Sequence, residues 1–499
     1  MTVLPSTANT GDLFANHDAG TALIDLTGSG ERIISYAALN WACRSVARGL
    51  RAGGISPGDR VAIIAPNSPA FYALFFGSMR AGCVPMQINT RISVDAIRDL
   101  IEEGKPQVIF TDSELAACLE TEVPIIALDT PEYDEFLDPG PFDTISPDAN
   151  DIAFIPYSSG TTGLPKGILL TNRNSLWALR QMARVIGESG SPEKERIIIA
   201  HPLYHKNAML GSKAMFMGGG SVVLQNKFVE EDYLAAVEKY RVTKLHTVPT
   251  MMARLVARED LLSRFNLSSV AAIHMGSGPI APRLFDAVKE SFPHAKVRIS
   301  YGLTEAGPMQ FGAHPDRRPT PRMSIGYPLE DCKLRLVNGP NQNEGVLQVW
   351  NPGVMKGYLN RPEETAKRLL DDGWIDSGDI LRRDEDGFYY FVGRADDMFV
   401  VNGNNVYPAA VEQVLLKHQD ILETCIVAVD DLVRGQVPHA FVVRRSGISL
   451  SEEDVKNFFL AHGPAYQYPR KIHFLDVLPL QGTGKVDTRL LKEIATNSV

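Results

Sequence analysis

Residues 157–167 read YSSGTTGLPKG, and this segment concentrates groups that can hold a polyanion. Three glycines and five hydroxyl-bearing side chains surround one lysine, Lys166. Backbone N–H groups and hydroxyls donate to phosphate oxygens, the lysine adds a positive charge, and glycine lets the backbone approach closely. The segment therefore predicts a loop that binds a nucleotide triphosphate.

This loop differs from the Walker A loop, whose pattern is G-x-x-x-x-G-K-[ST]. Pro165 stands where a glycine should precede the lysine, and Gly167 follows the lysine. Residues 152–156 and 168–171 are apolar and predict strands, so the loop joins two strands instead of opening a helix. An ordinary Gly/Ser/Thr turn is the alternative, but a turn does not need eleven residues so rich in donors.

Three further motifs carry groups that suit the same chemistry. Residues 300–307 read SYGLTEAG, a tight turn with an aromatic ring, a hydroxyl and a carboxylate. Residues 374–380 read WIDSGDI and place Asp379 after a glycine, at the predicted start of a turn. Residues 479–485 read PLQGTGK, a flexible loop that ends in Lys485. Each motif alone is weak, and their combination in this order is a strong signal.

Together these motifs resemble the adenylate-forming superfamily, which includes acyl-CoA synthetases, peptide-synthetase adenylation domains and beetle luciferases. The resemblance runs from about residue 12 to residue 492, and 157–167 and 378–397 (GDILRRDEDGFYYFVGRADD) are its most specific parts. It implies two steps: a carboxylate attacks the α-phosphate of ATP and expels pyrophosphate, and then a thiol, usually that of coenzyme A, expels AMP. The implied cofactors are ATP, Mg²⁺ and coenzyme A.

The resemblance also implies roles for individual residues at the nucleotide. Thr304 donates to the α-phosphate, Glu305 holds Mg²⁺, and Lys485 bridges the attacking carboxylate and the α-phosphate. Asp379 accepts from the ribose hydroxyls, and Arg394 reaches the ribose or a phosphate. The β- and γ-phosphates are held by Ser158, Ser159, Gly160, Thr161, Thr162, Gly163 and Lys166. The adenine site is formed by Gly276, Ser277, Gly278, Pro279, Tyr301 and Gly302, with the ring of Tyr301 stacked on the base.

His205, in the stretch PLYHKNAM, matches the family position that borders the acyl group and its carboxylate, and it is a predicted catalytic residue. The chain lacks the aspartate-bearing motif with which amino-acid-activating domains bind an ammonium group. The predicted acyl pocket is mostly apolar or small, which favours a fatty or aryl acid over a dicarboxylic acid. Its residues are His205, Asn207, Ala208, Met209, Gly278, Tyr301 and Met309.

The chain departs from the family pattern where coenzyme A should bind. Residues 401–408 read VNGNNVYP, so Asn402 replaces a glycine beside the expected pantetheine path. Gln467 replaces a lysine, and the following cations Arg470 and Lys471 could substitute for it. The predicted coenzyme A contacts are Asn402, Gly403, Asn404, Arg470 and Lys471.

The hydrophobic pattern predicts an α/β fold. Strands and helices alternate over residues 60–110 and again over 196–300, which indicates βαβ units on a parallel sheet. After about residue 324, short strands and turns predict a small β-rich subdomain. We predict a large N-terminal adenylation domain, 1–394, and a small mobile α+β domain, 395–499, with Asp396 at the family's hinge position.

Composition limits the classes of partner. The net charge of −9 argues against nucleic acid and against an anionic membrane surface. The five cysteines are scattered singly, which fits a reducing compartment and excludes a structural zinc site of the usual spacing. No basic residue precedes Arg32, and no apolar run is long enough to span a bilayer. We expect a cytoplasmic protein, a monomer or homodimer, with a small carboxylic acid as its partner.

Two alternatives stay open at this point. An enzyme that passes the same adenylate to a carrier protein or another acceptor shares all the adenylation residues. A nucleotide-binding protein without turnover is the other alternative, and the presence of Thr304, Glu305, Asp379 and Lys485 argues against it.

Overall fold

The structure is a computed structural model that describes residues 9–158, 165–187, 191–278, 280–401, 404–431, 434–445, 447–480 and 486–497. These residues form two seven-stranded sheets, a four-stranded antiparallel sheet, a two-stranded pair, and a five-stranded sheet near the C-terminus. The predicted α/β class, with a large N-terminal part and a small C-terminal part, is confirmed. Within the described helices, none is long and apolar enough to cross a membrane.

Strands and helices alternate over residues 60–110 and 196–300, as the sequence predicts, and further strands and helices precede and connect these stretches. The strands are β1 Thr21–Leu26, β2 Arg32–Ser35, β3 Arg60–Ile64, β4 Val84–Gln87, β5 Val108–Thr111, β6 Ile125–Ala127, β7 Ile152–Ser158, β8 Lys166–Thr171, β9 Arg196–Ile199, β10 Ser221–Gln225, β11 Lys244–Thr247, β12 Ala272–Gly276 and β13 Lys296–Ser300. The helices are α1 Tyr36–Ala52, α2 Pro69–Arg80, α3 Val94–Gly104, α4 Ser113–Ala116, α5 Pro131–Phe136, α6 Asn172–Gly187, α7 Lys206–Gly218, α8 Glu230–Lys239, α9 Pro249–Val256, α10 Glu259–Leu262 and α11 Pro282–Ser291.

The remaining elements are richer in antiparallel strands. The strands are β14 Phe311–Gly312, β15 Tyr327–Pro328, β16 Lys333–Asn341, β17 Glu344–Trp350, β18 Gly357–Tyr358, β19 Ile375–Arg383, β20 Tyr389–Arg394, β21 Phe399–Val401, β22 Asn404–Val406, β23 Ile421–Asp431, β24 Gly435–Arg444 and β25 Lys471–Leu475. The helices are α12 Pro362–Arg368, α13 Pro408–Leu415, α14 Glu452–His462 and α15 Thr488–Asn497.

The two large sheets are mainly parallel. One has the strand order β13-β12-β11-β9-β10-β1-β2, in which β2 alone is antiparallel to its neighbour. The other has the order β18-β8-β7-β4-β3-β5-β6, with β8 antiparallel to both β18 and β7. Ligand sites in such sheets form beyond the carboxyl ends of the strands. Functional residues are therefore expected in the turns after β7, β9, β12 and β13.

Local signals explain the helix limits. The helix α2 begins after Ser68, whose hydroxyl accepts from the N–H of Phe71, and Pro69 fills its first position. Both this helix and α3 fall within the alternating stretch 60–110 that the sequence predicts. In one of the hydrophobic cores, Phe14 packs edge-on against Phe76 of α2 at 5.0 Å between ring centroids.

The four-stranded sheet has the order β16-β17-β19-β20, and the C-terminal sheet has the order β22-β21-β24-β23 with β25 beside β24. Arg394 is the last residue of β20, and Phe399 is the first residue of β21 in the next sheet. The proposed boundary at residues 394 and 395 thus falls between two sheets, and it stays a prediction.

Candidate active site

The predicted phosphate loop joins two neighbouring antiparallel strands. Ser158, at the end of β7, lies opposite Lys166, at the start of β8. The Lys166 ammonium stands over the ring of Tyr358, 5.4 Å from its centroid. The strand pair therefore fixes both ends of the loop. Five predicted phosphate ligands lie outside the described residues: Ser159, Gly160, Thr161, Thr162 and Gly163.

The turn after β13 is tightly folded and carries the predicted metal ligand. A Cβ on Gly302 would stand 2.0 Å from the carbonyl oxygen of Pro308, so only glycine allows this close approach. Tyr358 Oη donates to Glu305 Oε1 at 2.9 Å, and the N–H of Met355 donates to the Glu305 carbonyl at 2.7 Å. Glu305 thus shares Tyr358 with Lys166, and the two predicted motifs meet at this ring.

Lys206 supports the same turn from α7. Its ammonium donates to the carbonyl oxygen of Thr304 at 3.0 Å and contacts that of Leu303 at 3.4 Å. Burial lowers the pKa of Lys206 to about 7, although Glu305 attracts its positive charge and opposes the shift. Contacts to the Thr304 backbone position the turn, and the assigned role of the Thr304 hydroxyl stays a prediction.

The carboxylate of Glu305 fits a Mg²⁺ ion that is held jointly by protein and nucleotide. In the described part of the chain, no group of three or more His, Cys, Asp or Glu side chains could hold a metal. Mg²⁺ commonly binds one or two carboxylates together with substrate phosphates, and it prefers oxygen ligands. Glu305, beside the base of the phosphate loop, offers such a ligand, and bound Mg²⁺ would neutralise charge on the phosphates.

Asp379 stands at the centre of the predicted ribose site. It is 5% exposed; Tyr301 Oη donates to its Oδ2 at 2.5 Å, and Arg394 Nη1 donates to its Oδ1 at 2.8 Å. Burial raises the pKa of Asp379, while Arg394 and Tyr301 oppose the shift. The structure therefore brings together three residues that the sequence assigns to the nucleoside. The stacking of Tyr301 on adenine stays a prediction.

The predicted position of Asp379 at the start of a turn is wrong. Asp379 lies within β19 and pairs with Arg394 of β20. Gly378, with a φ of 67°, sits where the pairing of β19 with β17 shifts register. The glycine marks an irregularity inside the strand, a common role of glycine in sheets. This irregularity turns the carboxylate toward Tyr301.

The adenine segment follows β12 without a break. A Cβ on Gly276 would stand 2.9 Å from the carbonyl oxygen of Ser300, so β12 and β13 end in close contact. Ser277 has a φ of 67°, a left-handed conformation that is uncommon for serine. Gly278 continues this turn, and Pro279 lies outside the described residues.

His205 opens α7 at the predicted acyl site. It is the N-cap residue, and its ring packs edge-on against Tyr204 at 4.6 Å between centroids. Asn207 Oδ1 accepts a hydrogen bond from His246 Nε2. Of the other predicted pocket residues, Ala208 and Met209 are buried and Met309 is half-buried against the core.

Ion pairs link the proposed hinge residue, Asp396, to the predicted ribose site. Asp396 accepts from Arg368 Nη2 at 2.8 Å and from Arg394 Nη2 at 3.0 Å. Burial alone would raise the pKa of Asp396, but the two guanidinium groups bring it below its usual range. Since Arg394 also binds Asp379, one side chain links the hinge carboxylate to the ribose carboxylate.

The predicted coenzyme A residues lie in the C-terminal part. Asn404 begins β22, and Lys471 begins β25. The N–H of Arg470 donates to the Pro438 carbonyl at 2.8 Å, and its guanidinium lies 3.9 Å from the centroid of the Tyr468 ring. Asn402, Gly403 and the catalytic candidate Lys485 lie outside the described residues.

Sequence reasoning missed several residues that the structure places at the site. Tyr358 and Arg368 contact their partners across 53 and 28 residues of chain, so no local spacing indicated them. Lys206 follows His205 directly, and this adjacency was the one available signal. Lys206 and Lys213 also line a cavity of about 40 Å³ between α6 and α7. The Lys213 ammonium lies 4.2 Å from the centroid of the Phe154 ring.

Comparison with known proteins agrees with this geometry. The pattern of the AMP-binding enzyme family matches residues 14–359, and that of the AMP-binding enzyme C-terminal domain matches residues 410–485. The chain is 29% identical over 502 residues to 4-coumarate–CoA ligase 2 of Nicotiana tabacum, covering 92% of this chain and 89% of that protein. It is 30% identical over 498 residues to 4-coumarate–CoA ligase 1 of Solanum tuberosum, covering 93% and 89%.

Solved structures show the same fold. ATP-bound MatB from Rhodopseudomonas palustris is 27% identical, with a TM-score of 0.88 and coverage of 99% of each chain. The o-succinylbenzoate CoA synthetase of Bacillus subtilis, in complex with its acyl-adenylate intermediate, is 26% identical, with a TM-score of 0.83 and coverage of 98% of each chain. By the length of the family match and the agreement of fold, the chain belongs to the AMP-binding enzyme family.

Proposed function

We propose that this chain is an ATP-dependent carboxylate–CoA ligase that activates a hydrophobic carboxylic acid, fatty or aryl. As an AMP-binding enzyme it is an AMP-forming acid–thiol ligase, and it uses ATP, Mg²⁺ and coenzyme A. One observation carries the proposal: the turn after β13 joins two clusters. In it, Tyr301 contacts the Asp379 carboxylate, and Glu305 contacts Tyr358 four residues later. A nucleoside and its phosphates need such neighbouring sites.

The reaction has two balanced steps. First, a carboxylate oxygen of the acid bonds to the α-phosphorus of ATP, and the bond to the bridging oxygen breaks, releasing pyrophosphate. Second, the sulfur of coenzyme A loses its proton and bonds to the acyl carbon, and AMP leaves with the oxygen that joined them. The first step brings two anions together and places charge on phosphoryl oxygens, so fixed cations and donors lower its barrier.

The residues of the site can supply these groups. We assign phosphate binding to residues 158–166 and to the hydroxyl of Thr304, and the Mg²⁺ ligand to Glu305. Asp379 accepts from the ribose, and its link to Arg394 keeps a cation beside the nucleotide. His205 borders the acyl group and its carboxylate. We assign to Lys485, in the C-terminal part, the role of bridging the attacking carboxylate and the α-phosphate.

The relatives support an aryl acid as the substrate. The tobacco and potato proteins are named for 4-coumarate, an acid with an aromatic ring, and the Bacillus subtilis enzyme is named for o-succinylbenzoate. The buried Ala208 and Met209 beside His205 suit the apolar part of such an acid.

We also propose that the two halves of the reaction use different placements of the C-terminal part. The loop of Lys485 and the segment 401–408 cannot occupy one site together, and both lie beyond Asp396. Rotation of residues 395–499 about Asp396 would exchange them. The coenzyme A contacts would then come from Asn402, Gly403, Asn404, Arg470 and Lys471.

Pyrophosphate exchange into ATP tests the proposed activity. Purified protein, Mg²⁺ and ATP are combined with aliphatic, aryl and dicarboxylic acids, and products are then sought with coenzyme A or with a phosphopantetheinyl carrier protein. We expect exchange with aryl or aliphatic acids and a thioester with coenzyme A. If none of the acids supported exchange, the proposed activity would be wrong. If the acyl group passed to the carrier protein and not to coenzyme A, the proposed acceptor would be wrong.

A matched pair of variants tests the nucleotide site. Asp379→Asn should raise the KM for ATP by about 10- to 100-fold, because a hydrogen bond to a charged group contributes about 1.5–3 kcal/mol. Asp384→Asn is the control, since Asp384 follows the same strand and accepts from Tyr390 Oη at 2.8 Å. Equal effects of the two variants on the KM for ATP would contradict the ribose assignment.

A further inference from the structure

A row of histidines leads inward from the proposed acyl site. The ring centroids of His201 and His246 are 6.2 Å apart, and those of His246 and His274 are 6.3 Å apart. His205 also lies close enough to His201 to lower its pKa. His246 and His274 are direct partners in β11 and β12. The row therefore starts at the residue that borders the reacting carboxylate and runs across the sheet.

The row includes a residue of β12, the strand that leads into the predicted adenine segment. His274 precedes Gly276 by two residues in β12, so both face the same side of the sheet, about 6.6 Å apart along the strand. Helix α7 packs against this side of the sheet and presents Asn207 and Gly211 to His246. A Cβ on Gly211 would stand 2.9 Å from His246 Nδ1, so this glycine lets the helix close over the histidine.

Polar atoms in this row lack partners although they are buried. His201 is 8% exposed, and among the described residues neither of its ring nitrogens has a hydrogen-bond partner. Within the same described ranges, Nδ2 of Asn207 is also buried without a partner. Buried polar groups are nearly always hydrogen-bonded in native proteins, so such a cluster needs a ligand or ordered water.

The contact between Asn207 and His246 determines which hydrogen-bonding groups remain for a ligand. Since the amide oxygen of Asn207 accepts from His246 Nε2, the Asn207 amide nitrogen is left as a donor. Burial lowers the pKa of His201 to about 3 and that of His246 to about 4, so both rings are uncharged near neutral pH. A neutral ring gives one donor and one acceptor, and it does not compensate a buried carboxylate.

We infer that the acyl pocket ends in a hydrogen-bonding subsite, formed by His201 and by the Asn207 amide that His246 orients, for an uncharged hydroxyl-like group at the far end of an aryl carboxylic acid. This inference rests on the proposed function, because it assumes that the acyl chain runs inward from His205. The sequence predicts a pocket that is mostly apolar or small, and the inferred subsite adds a hydrogen-bonding end to it.

Two pairs of acids of similar shape test the subsite with the full-length enzyme: 4-hydroxycinnamate against 4-methylcinnamate, and 4-hydroxybenzoate against 4-methylbenzoate. The readout is the ratio of kcat/KM in pyrophosphate exchange within each pair. We expect the hydroxyl acid to be preferred at least about tenfold in one pair, because the methyl acid leaves the buried polar atoms unpaired. His201→Leu and Asn207→Leu should each reduce that ratio about tenfold or more, and His201→Gln should retain most of it.

His17→Leu is the matched control. His17 contacts the carbonyl oxygen of Met217 at the opposite end of α7, so its loss should leave the ratio unchanged. Ratios near one in both pairs for the parental enzyme would overturn the inference, whether or not the variants fold. Ratios that survive both leucine variants would also overturn it. Absence of exchange with every acid, including simple fatty acids, would instead contradict the proposed function.

Discussion

Replacing Tyr358 with phenylalanine removes one hydroxyl beside Glu305 and keeps the ring under Lys166. The hydroxyl is 2.9 Å from Glu305 Oε1. Burial and the neighbouring Glu305 carboxylate raise the pKa of Tyr358, so the hydroxyl keeps its proton and donates. Because the ring is retained, the contact with Lys166 should persist, and the variant isolates the orientation of the proposed Mg²⁺ ligand.

The size of the effect follows from this contact. A hydrogen bond to a charged group contributes about 1.5–3 kcal/mol, and about 1.4 kcal/mol corresponds to a tenfold change in a binding constant. Loss of a residue that orients a metal ligand commonly weakens metal affinity by about 10- to 100-fold. We therefore expect the Mg²⁺ concentration at half-maximal pyrophosphate exchange to rise by about 10- to 100-fold.

The assay is a Mg²⁺ titration of exchange at saturating ATP and acid. Tyr72→Phe serves as the control, because the Tyr72 hydroxyl is fully buried and hydrogen-bonds Ser212 Oγ at 2.6 Å, with no contact to Glu305. That variant should lose stability without moving the Mg²⁺ midpoint. If Tyr358→Phe had the same Mg²⁺ midpoint as the parental enzyme, the assignment of Glu305 as a metal ligand oriented by this hydroxyl would be refuted.

Three further predictions concern other parts of the molecule. Lys485→Ala should abolish adenylate formation yet spare thioester synthesis from supplied acyl-adenylate; equal loss of the two half-reactions would contradict its role. Asp396→Pro should keep pyrophosphate exchange and lose thioester synthesis, because proline fixes φ, while Asp396→Ala loses the same ion pairs and should keep both; parental turnover in Asp396→Pro would exclude rotation about this residue. Burial lowers the pKa of Lys213 to about 7. Above that pH the folded chain has lost a proton that the unfolded chain still holds, so the free energy of unfolding rises with pH. Lys213→Met should remove about 1.4 kcal/mol per pH unit of this rise in denaturant melts between pH 7 and 10; equal slopes in the two proteins would argue against a neutral, buried Lys213.

Features set by local pattern were predictable from the sequence. The alternation of strands and helices over residues 60–110 and 196–300 follows from hydrophobic periodicity, and the strands beside the phosphate loop follow from two short apolar runs. The helix Pro69–Arg80 lies in one of these alternating stretches, and a capping serine and a first-turn proline define its start.

Contacts between distant parts of the chain could not be predicted in this way. The hydroxyl of Tyr358 reaches Glu305, and the guanidinium of Arg368 reaches Asp396, only after the sheets have assembled. The glycine before Asp379 was read as a turn because glycine signals both turns and strand irregularities, and the strand pairing decides between them. The buried His201 gave no signal, since a single histidine in a sequence is more often a structural residue.

In the proposed reaction, this chain transfers AMP to a carboxylic acid before a thioester forms. A single-turnover reaction with ATP labelled at the α-phosphate, Mg²⁺ and 4-hydroxycinnamate tests it most directly. Without coenzyme A, the label should appear in acyl-AMP bound to the enzyme. Addition of coenzyme A should move the label to free AMP while the acyl group appears as a thioester. Label recovered in ADP, or a thioester formed without labelled acyl-AMP or AMP, would contradict the account.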